Sequence, residues 1–363
     1  MPDKQKILVA MSGGVDSSVT AGLLLQQGYD LRGVYLLPWH ASAIGFSGEL
    51  EPQNALLSAS QAAERLGIPL DVLSLQKEFY DRVVNYFVEG YRAGKTPNPC
   101  YVCNRIFKWA EFIRHADALN IPFIASGHYA TLENTASGKV RLFQAKDPNK
   151  DQSYVLSCLD QSLLQRMKLP LGQYTKAEVR EIAASFGFNS ANRSDSQDMC
   201  FIHNDEHKKL IRNLLGEASG LQGLIVDLQG KELGIHQGLE NYTHGQRKGI
   251  RISSPEPLYV LEKNIAENKL VVGPLASSNG AGLIATQVHW IQDTPPGEVF
   301  TARVKIRYQA AALSAIIQVL PENQMRVDFL EPVFGITPGQ FAVVYDNKEV
   351  IGAGEILRRI SIQ

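Results

Sequence analysis

A doubly wound parallel α/β domain, then a small central domain and a C-terminal antiparallel β-barrel, is the fold class that this chain of 363 residues predicts. Three observations carry the prediction. The first third alternates apolar strand-like runs with helical patterns, as a parallel sheet covered by helices does. A Gly13-Gly14 turn joins the first apolar run to the first helix. From Leu221 onward the alternation gives way to short apolar runs broken by Gly, Asp and Asn, the mark of hairpins and small barrels.

The elements follow in order. "KILVAM" is the first strand, a helix runs from about Ser17 to Gln27, and "LRGVYLL" is the second strand. "NALLSASQAAERLG" is the next helix and "PLDVLSL" the third strand. "EFYDRVVNYFVEGYRAG" is an amphipathic helix whose Phe79, Val83, Val84, Phe87 and Tyr91 recur at helical spacing, a stripe that belongs in a core. "IPFIASGHYA" is a further strand ending in a polar turn. In such a sheet a ligand sits beyond the carboxyl ends of the strands. The tail stretches "VFTARVKIRYQAAALSAIIQVL" and "GQFAVVYDNKEVIGAGEIL" read as strands and hairpins, and "GPLASSNGAG" marks a boundary before them. The expected domains are 1–203, 204–277 and 278–363.

Composition narrows the function classes. With 44% hydrophobic and 20% charged residues the chain is expected to be folded throughout. It lacks the run of ~18 apolar residues that crosses a bilayer, and "MPDKQK" leads into a strand rather than an export signal, so no membrane partner and a cytoplasmic location are expected. Cys100, Cys103, Cys158 and Cys200 are too few for a disulfide framework. The net charge of -1 announces no nucleic-acid binder, which leaves local basic runs such as "HKKLIR", "GQRKGIR" and "LRRI" to meet phosphates.

The glycines of "SGGVDSS" let successive backbone amides converge on one anion, and the following helix adds its positive end. A serine-capped turn that binds nothing is the plain alternative. The loop is not a Walker A motif, because no lysine follows the glycines, so charge must be neutralised from elsewhere. "GYRAGKT" is a decoy: its glycines are too close together, and Pro97 bars a helix where that motif needs one. Asp16 suits a first helical turn. Beside a pyrophosphate it would repel unless Mg²⁺ intervened, so nucleotide with Mg²⁺ is expected.

"GKTPNPCYVCNRIFKW" holds a C-x-x-C pair. Half a zinc site and a redox pair both remain open, although no second pair stands at a matching spacing. A helix beginning near Cys103 would place its sulfur at a positive end and lower its pKa. Cys200, in "RSDSQDMCFI", reads either as a buried small hydrophobe or as a partner for that thiol. Cys158 falls in an apolar helical pattern and reads as structural, as His115, His203, His207 and His236 read as structural or surface residues.

"SGGVDSS" resembles the signature of the PP-loop ATP pyrophosphatases, which have the adenine-nucleotide α-hydrolase fold. With "TPNPCYVCN", "ASGHYA", "NKDQSY", "SDSQDMCFI", "HQGLENYTHGQRKG", "RYQA" and "TPGQFAVVYD" in this order, nearly the whole chain resembles the tRNA-specific 2-thiouridylases. The resemblance implies an ATP-dependent sulfurtransferase in which the C2 oxygen of the tRNA wobble uridine is adenylated and sulfur arrives as a persulfide. It implies Cys103 as nucleophile and Cys200 as persulfide carrier. It places ATP on Ala10, Met11, Ser12, Gly13, Gly14, Val15, Asp16 and Ser17, with Leu36 and Gly127 beside adenine or ribose. Asn98, Pro99 and Cys100 would line the target base with His128 next to it, while Lys150, Asp151, Gln152, Arg307, Tyr308 and Gln340 would contact tRNA. The sulfur donor would be a cysteine desulfurase or a persulfide relay protein. The chain departs from that family in a short, mostly neutral "HASAIGFSGELEP" after the second strand and in Leu36 where Met is common. Two rival readings are a PP-loop amide ligase, which needs no cysteine, and a non-catalytic RNA-binding protein.

Overall fold

The computed structural model describes residues 4–44, 51–188, 199–202, 206–216 and 219–362. Ser194 to Asp198 and His203, which the sequence reading singled out, lie outside the described residues.

The central strand β1 (Lys6–Ala10) is a continuous apolar run because it is covered on both faces. Leu8 enters one core while Ile7 and Val9 enter the other, and all three are buried. Strands β2 (Asp30–Leu37) and β3 (Leu70–Ser74) extend the sheet on one side of β1. On the other side lies β4 (Phe123–Ala125); a hairpin, β5 (Ala130–Asn134) and β6 (Val140–Gln144), leads on to the edge strand β7 (Met167–Lys168). The order is β3-β2-β1-β4-β7, and every pairing in this sheet is parallel. The order in which strands are added therefore reverses between β1 and β4, a topological switch point that opens a crevice at their carboxyl ends.

Helices α1 (Val15–Gln26) and α2 (Glu51–Leu66) cover the sheet. The aromatic stripe expected for a core is buried, at Phe79, Val83, Val84, Phe87 and Tyr91. Its helix runs through the turns Gln76–Phe79 and Tyr80–Val84 into α3 (Asn85–Arg92), the middle turn being π-helical. Phe79 meets Phe107 and Phe201 edge-on at 5.4 and 5.8 Å, so the segment after Cys200 is packed against this helix.

The next helix starts earlier than the sequence reading expected. Asn98 caps α4 (Pro99–Cys103), its Oδ1 accepting the Tyr101 N–H at 3.0 Å, and Pro99 takes the first helical position. A π-turn, Asn104–Lys108, then joins α4 to α5 (Trp109–Ala118). Later come α6 (Lys176–Ser185), closed by a Thr175/Glu178 capping box, and α7 (His207–Leu215).

Strands β8 (Gln222–Val226), β9 (Glu232–Gln237), β10 (Tyr259–Asn264) and β11 (Lys269–Gly273) form a small sheet in the order β10-β11-β8-β9. The tail supplies β12 (Asn279–Trp290), β13 (Val299–Lys305), β14 (Leu313–Leu320), β15 (Gln324–Phe334), β16 (Phe341–Asp346) and β17 (Glu349–Ser361). β12 pairs with both β15 and β17, which closes an antiparallel barrel.

The sequence reading did not foresee that β6 pairs with β17, Leu142 opposite Val350, so the hairpin extends the barrel wall. An open strand edge recruits a partner. Arg141 on β6 pairs with the Glu349 carboxylate across the join. Among the described residues no helix is long and apolar enough to cross a membrane.

Leu142 is fully buried at this join. Leu142→Ala is expected to lower the unfolding free energy by about 2–5 kcal/mol. Urea denaturation checks it, and an unchanged midpoint would show that the join is not a packed core.

Candidate active site

The turn after β1 is built for close backbone approach. Gly13 has φ +78°, and a Cβ there would overlap the Ala55 carbonyl, so the left-handed turn accepts only glycine. Gly14 is the N-cap of α1 and offers no side chain to its first amides. Ser17 ties the loop instead: its Oγ accepts the Ser12 N–H at 3.1 Å and donates to the Gly14 carbonyl at 3.0 Å. Ala10 ends β1, while Met11 and Val15 are buried beneath the turn. Leu36, on β2, packs against two cores at the same end of the sheet. Gly127, just past β4, lies so close that a Cβ would fall 2.8 Å from the Asp16 carbonyl carbon and 2.9 Å from the Ser17 nitrogen.

Asp16 is already neutralised. Lys176 Nζ, at the start of α6, meets its two oxygens at 2.8 and 2.9 Å, and the Tyr129 hydroxyl donates to it at 2.8 Å. Lys176 thus gives Asp16 a counter-charge that the sequence reading sought in Mg²⁺ alone. Among the described residues no group of three or more His, Cys, Asp or Glu could hold a metal ion.

Beyond Gly127 the site turns to sulfur. The His128 Nδ1 is 2.9 Å from the Ser126 hydroxyl, and its ring lies 5.5 Å from Trp109. Burial, reinforced by the Lys108 charge, holds His128 well below the usual imidazole range, so it is neutral at pH 7. The Lys108 ammonium rests 4.7 Å over the Trp109 ring. Burial lowers its pKa, and the three facing thiols Cys103, Cys200 and Cys100 pull it back up.

Those thiols are thus gathered around one ammonium, although Cys200 stands far along the chain from the other two. Cys100 and Cys200 are exposed at their own surface and Cys103 is half-buried. Protein nevertheless encloses them on the wider scale that sets the cost of charge. Burial pushes Cys103 up to about 12, with Lys108 opposing and Cys100 adding to the rise. Cys200 is raised by burial and by the charges of Cys103 and Cys100. Cys100 is raised by burial, with Lys108 opposing. The expectation of a depressed Cys103 pKa is corrected here. Because α4 begins at Pro99, Cys100 rather than Cys103 occupies the first turn, and desolvation outweighs the helix end. Cys158 reads as structural still: its Sγ donates to the Val155 carbonyl at 3.4 Å.

The barrel closes over this region. Gln340 Nε2 donates to the Thr96 carbonyl at 2.8 Å, the Thr96 N–H donates to the Pro338 carbonyl at 2.9 Å, and Phe341 stacks on Tyr101 at 3.6 Å. Arg307 donates to the Gly335 carbonyl at 2.6 Å. Tyr308 is 37% exposed and lies edge-on to Tyr154 at 6.0 Å, and burial, then the Asp151 charge, raises its pKa. Asn98 and Pro99 serve α4 as cap and first residue. Asp151 is buried and holds Ala145 N–H and Ser153 N–H, while Gln152 accepts the Tyr129 N–H at 3.0 Å; both fix the loop, with Lys150 half-exposed before them.

Sequence reasoning missed Lys108, Trp109, Tyr129 and Lys176. Nothing in the sequence ties Lys176 to Asp16 across 160 positions. Lys108 had a faint signal, a cation shortly after the C-x-x-C pair.

Comparison with known proteins agrees with the three-part fold. The family described as "tRNA methyl transferase HUP domain" matches residues 5–204. The "tRNA methyl transferase PRC-barrel domain" matches 208–274 and the "Aminomethyltransferase beta-barrel domain" matches 281–356. The tRNA-specific 2-thiouridylase MnmA of Chloroflexus aggregans is 41% identical over 353 residues, 97% of this chain and 98% of that protein. Its counterpart in Magnetococcus marinus is 40% identical over 361 residues, 98% of this chain and 100% of that one.

Two substitutions test the charges. Lys176→Met strips Asp16 of its counter-ion and is expected to weaken ATP binding about tenfold, the size of one charge-assisted hydrogen bond. Adding Asp16→Asn to that variant should recover part of the loss; titration calorimetry decides, and additive losses would contradict the pairing. Lys108→Met removes the cation that favours the thiolate, so it is expected to raise the Cys103 pKa further and slow alkylation of that thiol about tenfold at fixed pH. The pH profile of Cys103 modification by iodoacetamide, followed by peptide mass spectrometry, checks it.

Proposed function

Because the chain belongs to the tRNA-specific 2-thiouridylase family and is a tRNA-uridine 2-sulfurtransferase, we propose that it thiolates the wobble uridine at C2, using ATP to activate the oxygen and a cysteine persulfide to deliver sulfur. The observation that supports this reading is the short path from loop to thiols. Gly127 abuts the loop, His128 follows it, and Trp109 and Lys108 bridge His128 to Cys100, Cys103 and Cys200.

The residues present fit a nucleotide. Amides of the Gly13–Ser17 turn and the start of α1 would hold its phosphates, and Leu36 and Gly127 would flank the adenosine. ATP supplies an AMP group that makes the C2 oxygen a good leaving group. Mg²⁺ would accompany the phosphates, held by their oxygens and water.

The chain's own part is to position and deliver. Asn98, Pro99, Cys100 and His128 would line the target base, with neutral His128 able to donate or accept a hydrogen bond. Lys150, Asp151, Gln152, Arg307, Tyr308 and Gln340 would contact the tRNA. Cys200 carries the persulfide, loaded by a cysteine desulfurase or a persulfide relay protein. Its terminal sulfur attacks C2 directly, after which the Cys103 thiolate attacks the Cys200 sulfur of the adduct, forms a disulfide with it and leaves the outer sulfur on C2; or the Cys103 thiolate attacks the Cys200 sulfur of the persulfide first, forms the same disulfide and releases hydrosulfide to attack C2. AMP departs with the oxygen in either case. Lys108 supports each sulfur anion as it forms. The rival amide ligase and non-catalytic RNA binder are set aside by the family membership.

The test is to incubate the protein with ATP, a persulfide source and unmodified tRNA. Nucleoside mass spectrometry is expected to find 2-thiouridine, reduced to background by Cys103→Ser and by Cys200→Ser. Undiminished product with either variant would contradict the assigned roles.

A further inference from the structure

The exchange route just described uses two thiols and leaves them joined, yet the structure sets a third beside them. Cys100 and Cys103 stand one helical turn apart in α4, which places their Cα atoms about 5 Å apart. That separation lies within the ~4.4–6.8 Å that a disulfide spans. Cys100 is also electrostatically coupled to both Cys103 and Cys200. Cys100 is exposed whereas Cys103 is half-buried against a core of Phe79, Phe107 and Phe201. A reductant in solution therefore reaches Cys100 more readily than Cys103.

We propose that Cys100 is a resolving thiol that frees Cys200 after each turnover. This inference rests on the exchange route of the proposed function. Cys100 gives its proton to solvent, its thiolate attacks the Cys103 sulfur, and the Cys103–Cys200 bond breaks. Cys200 leaves as a thiolate, takes up a proton and is ready for a new persulfide. The step moves a disulfide without net oxidation, and an external dithiol then supplies the two electrons that reduce Cys100–Cys103. Lys108, facing all three sulfurs, accompanies the negative charge from one to the next.

The first test traps the bond. Full-length enzyme with tRNA, ATP and a cysteine desulfurase is run for one turnover without reductant, quenched in acid, blocked with N-ethylmaleimide and digested. A peptide carrying an internal Cys100–Cys103 disulfide is expected, and in Cys100→Ser the Cys103–Cys200 link should accumulate instead. The second test compares later turnovers with the first at limiting dithiothreitol. Their ratio should fall at least tenfold in Cys100→Ser and recover at high dithiothreitol, with Cys158→Ser as an unaffected control. Only Cys103–Cys200 in the wild-type digest, or an unchanged ratio, overturns the proposal. Full activity in Cys103→Ser would overturn the exchange route itself, a separate result. Should Cys100→Ser fail to fold, the wild-type digest still decides.

Discussion

Gly127 presses against the first turn of α1 so closely that a side chain there would collide with the backbone of Asp16 and Ser17. This approach fastens the end of β4 to the loop that follows β1, at the point where the strand order switches. Everything downstream depends on it. His128 is carried in by the same turn, and Trp109, Lys108 and the thiols are packed from there outward. A wider gap would separate the anion-binding turn from the sulfurs and leave each without a partner reaction.

Charge within this crevice is managed by pairing rather than by solvent. Asp16 is matched by Lys176, while Lys108 faces thiols and an aromatic ring. Burial makes bare thiolates costly, so the resting sulfurs stay protonated. A buried ammonium reverses that preference only where a sulfur anion forms beside it. Under the proposed function the site is therefore quiet at rest and responsive when a persulfide arrives. The barrel contributes by docking on the same segment: Gln340 and Pro338 hold Thr96, and Phe341 covers Tyr101. Those contacts fix the approach to α4, and with it the spacing of Cys100 and Cys103.

Much of this was legible in the sequence, and the reasons are specific. Ile7, Leu8 and Val9 form an unbroken apolar run because both faces of β1 are covered, and Gly13 stands where only glycine fits. The aromatic stripe of Phe79, Phe87 and Tyr91 follows helical periodicity into a core. What escaped has no local signature. The π-turns Tyr80–Val84 and Asn104–Lys108 shift the helical register without a residue pattern of their own. The pairing of β6 with β17 and of Asp16 with Lys176 joins segments that only the finished fold brings together. The start of α4 was legible and was misplaced: Asn98 followed by Pro99 is a cap and a first-turn residue, a signal that the pull of Cys103 obscured.

The claim that one crevice serves both the nucleotide turn and the sulfurs can be measured directly. Alkylation rates of individual cysteines by N-ethylmaleimide, followed by peptide mass spectrometry, report whether occupying the turn is felt at the thiols. With a saturating non-hydrolysable ATP analogue, the rates at Cys100, Cys103 and Cys200 are predicted to change several-fold while that of Cys158 stays constant. Identical rates at all three with and without the bound analogue would contradict the account.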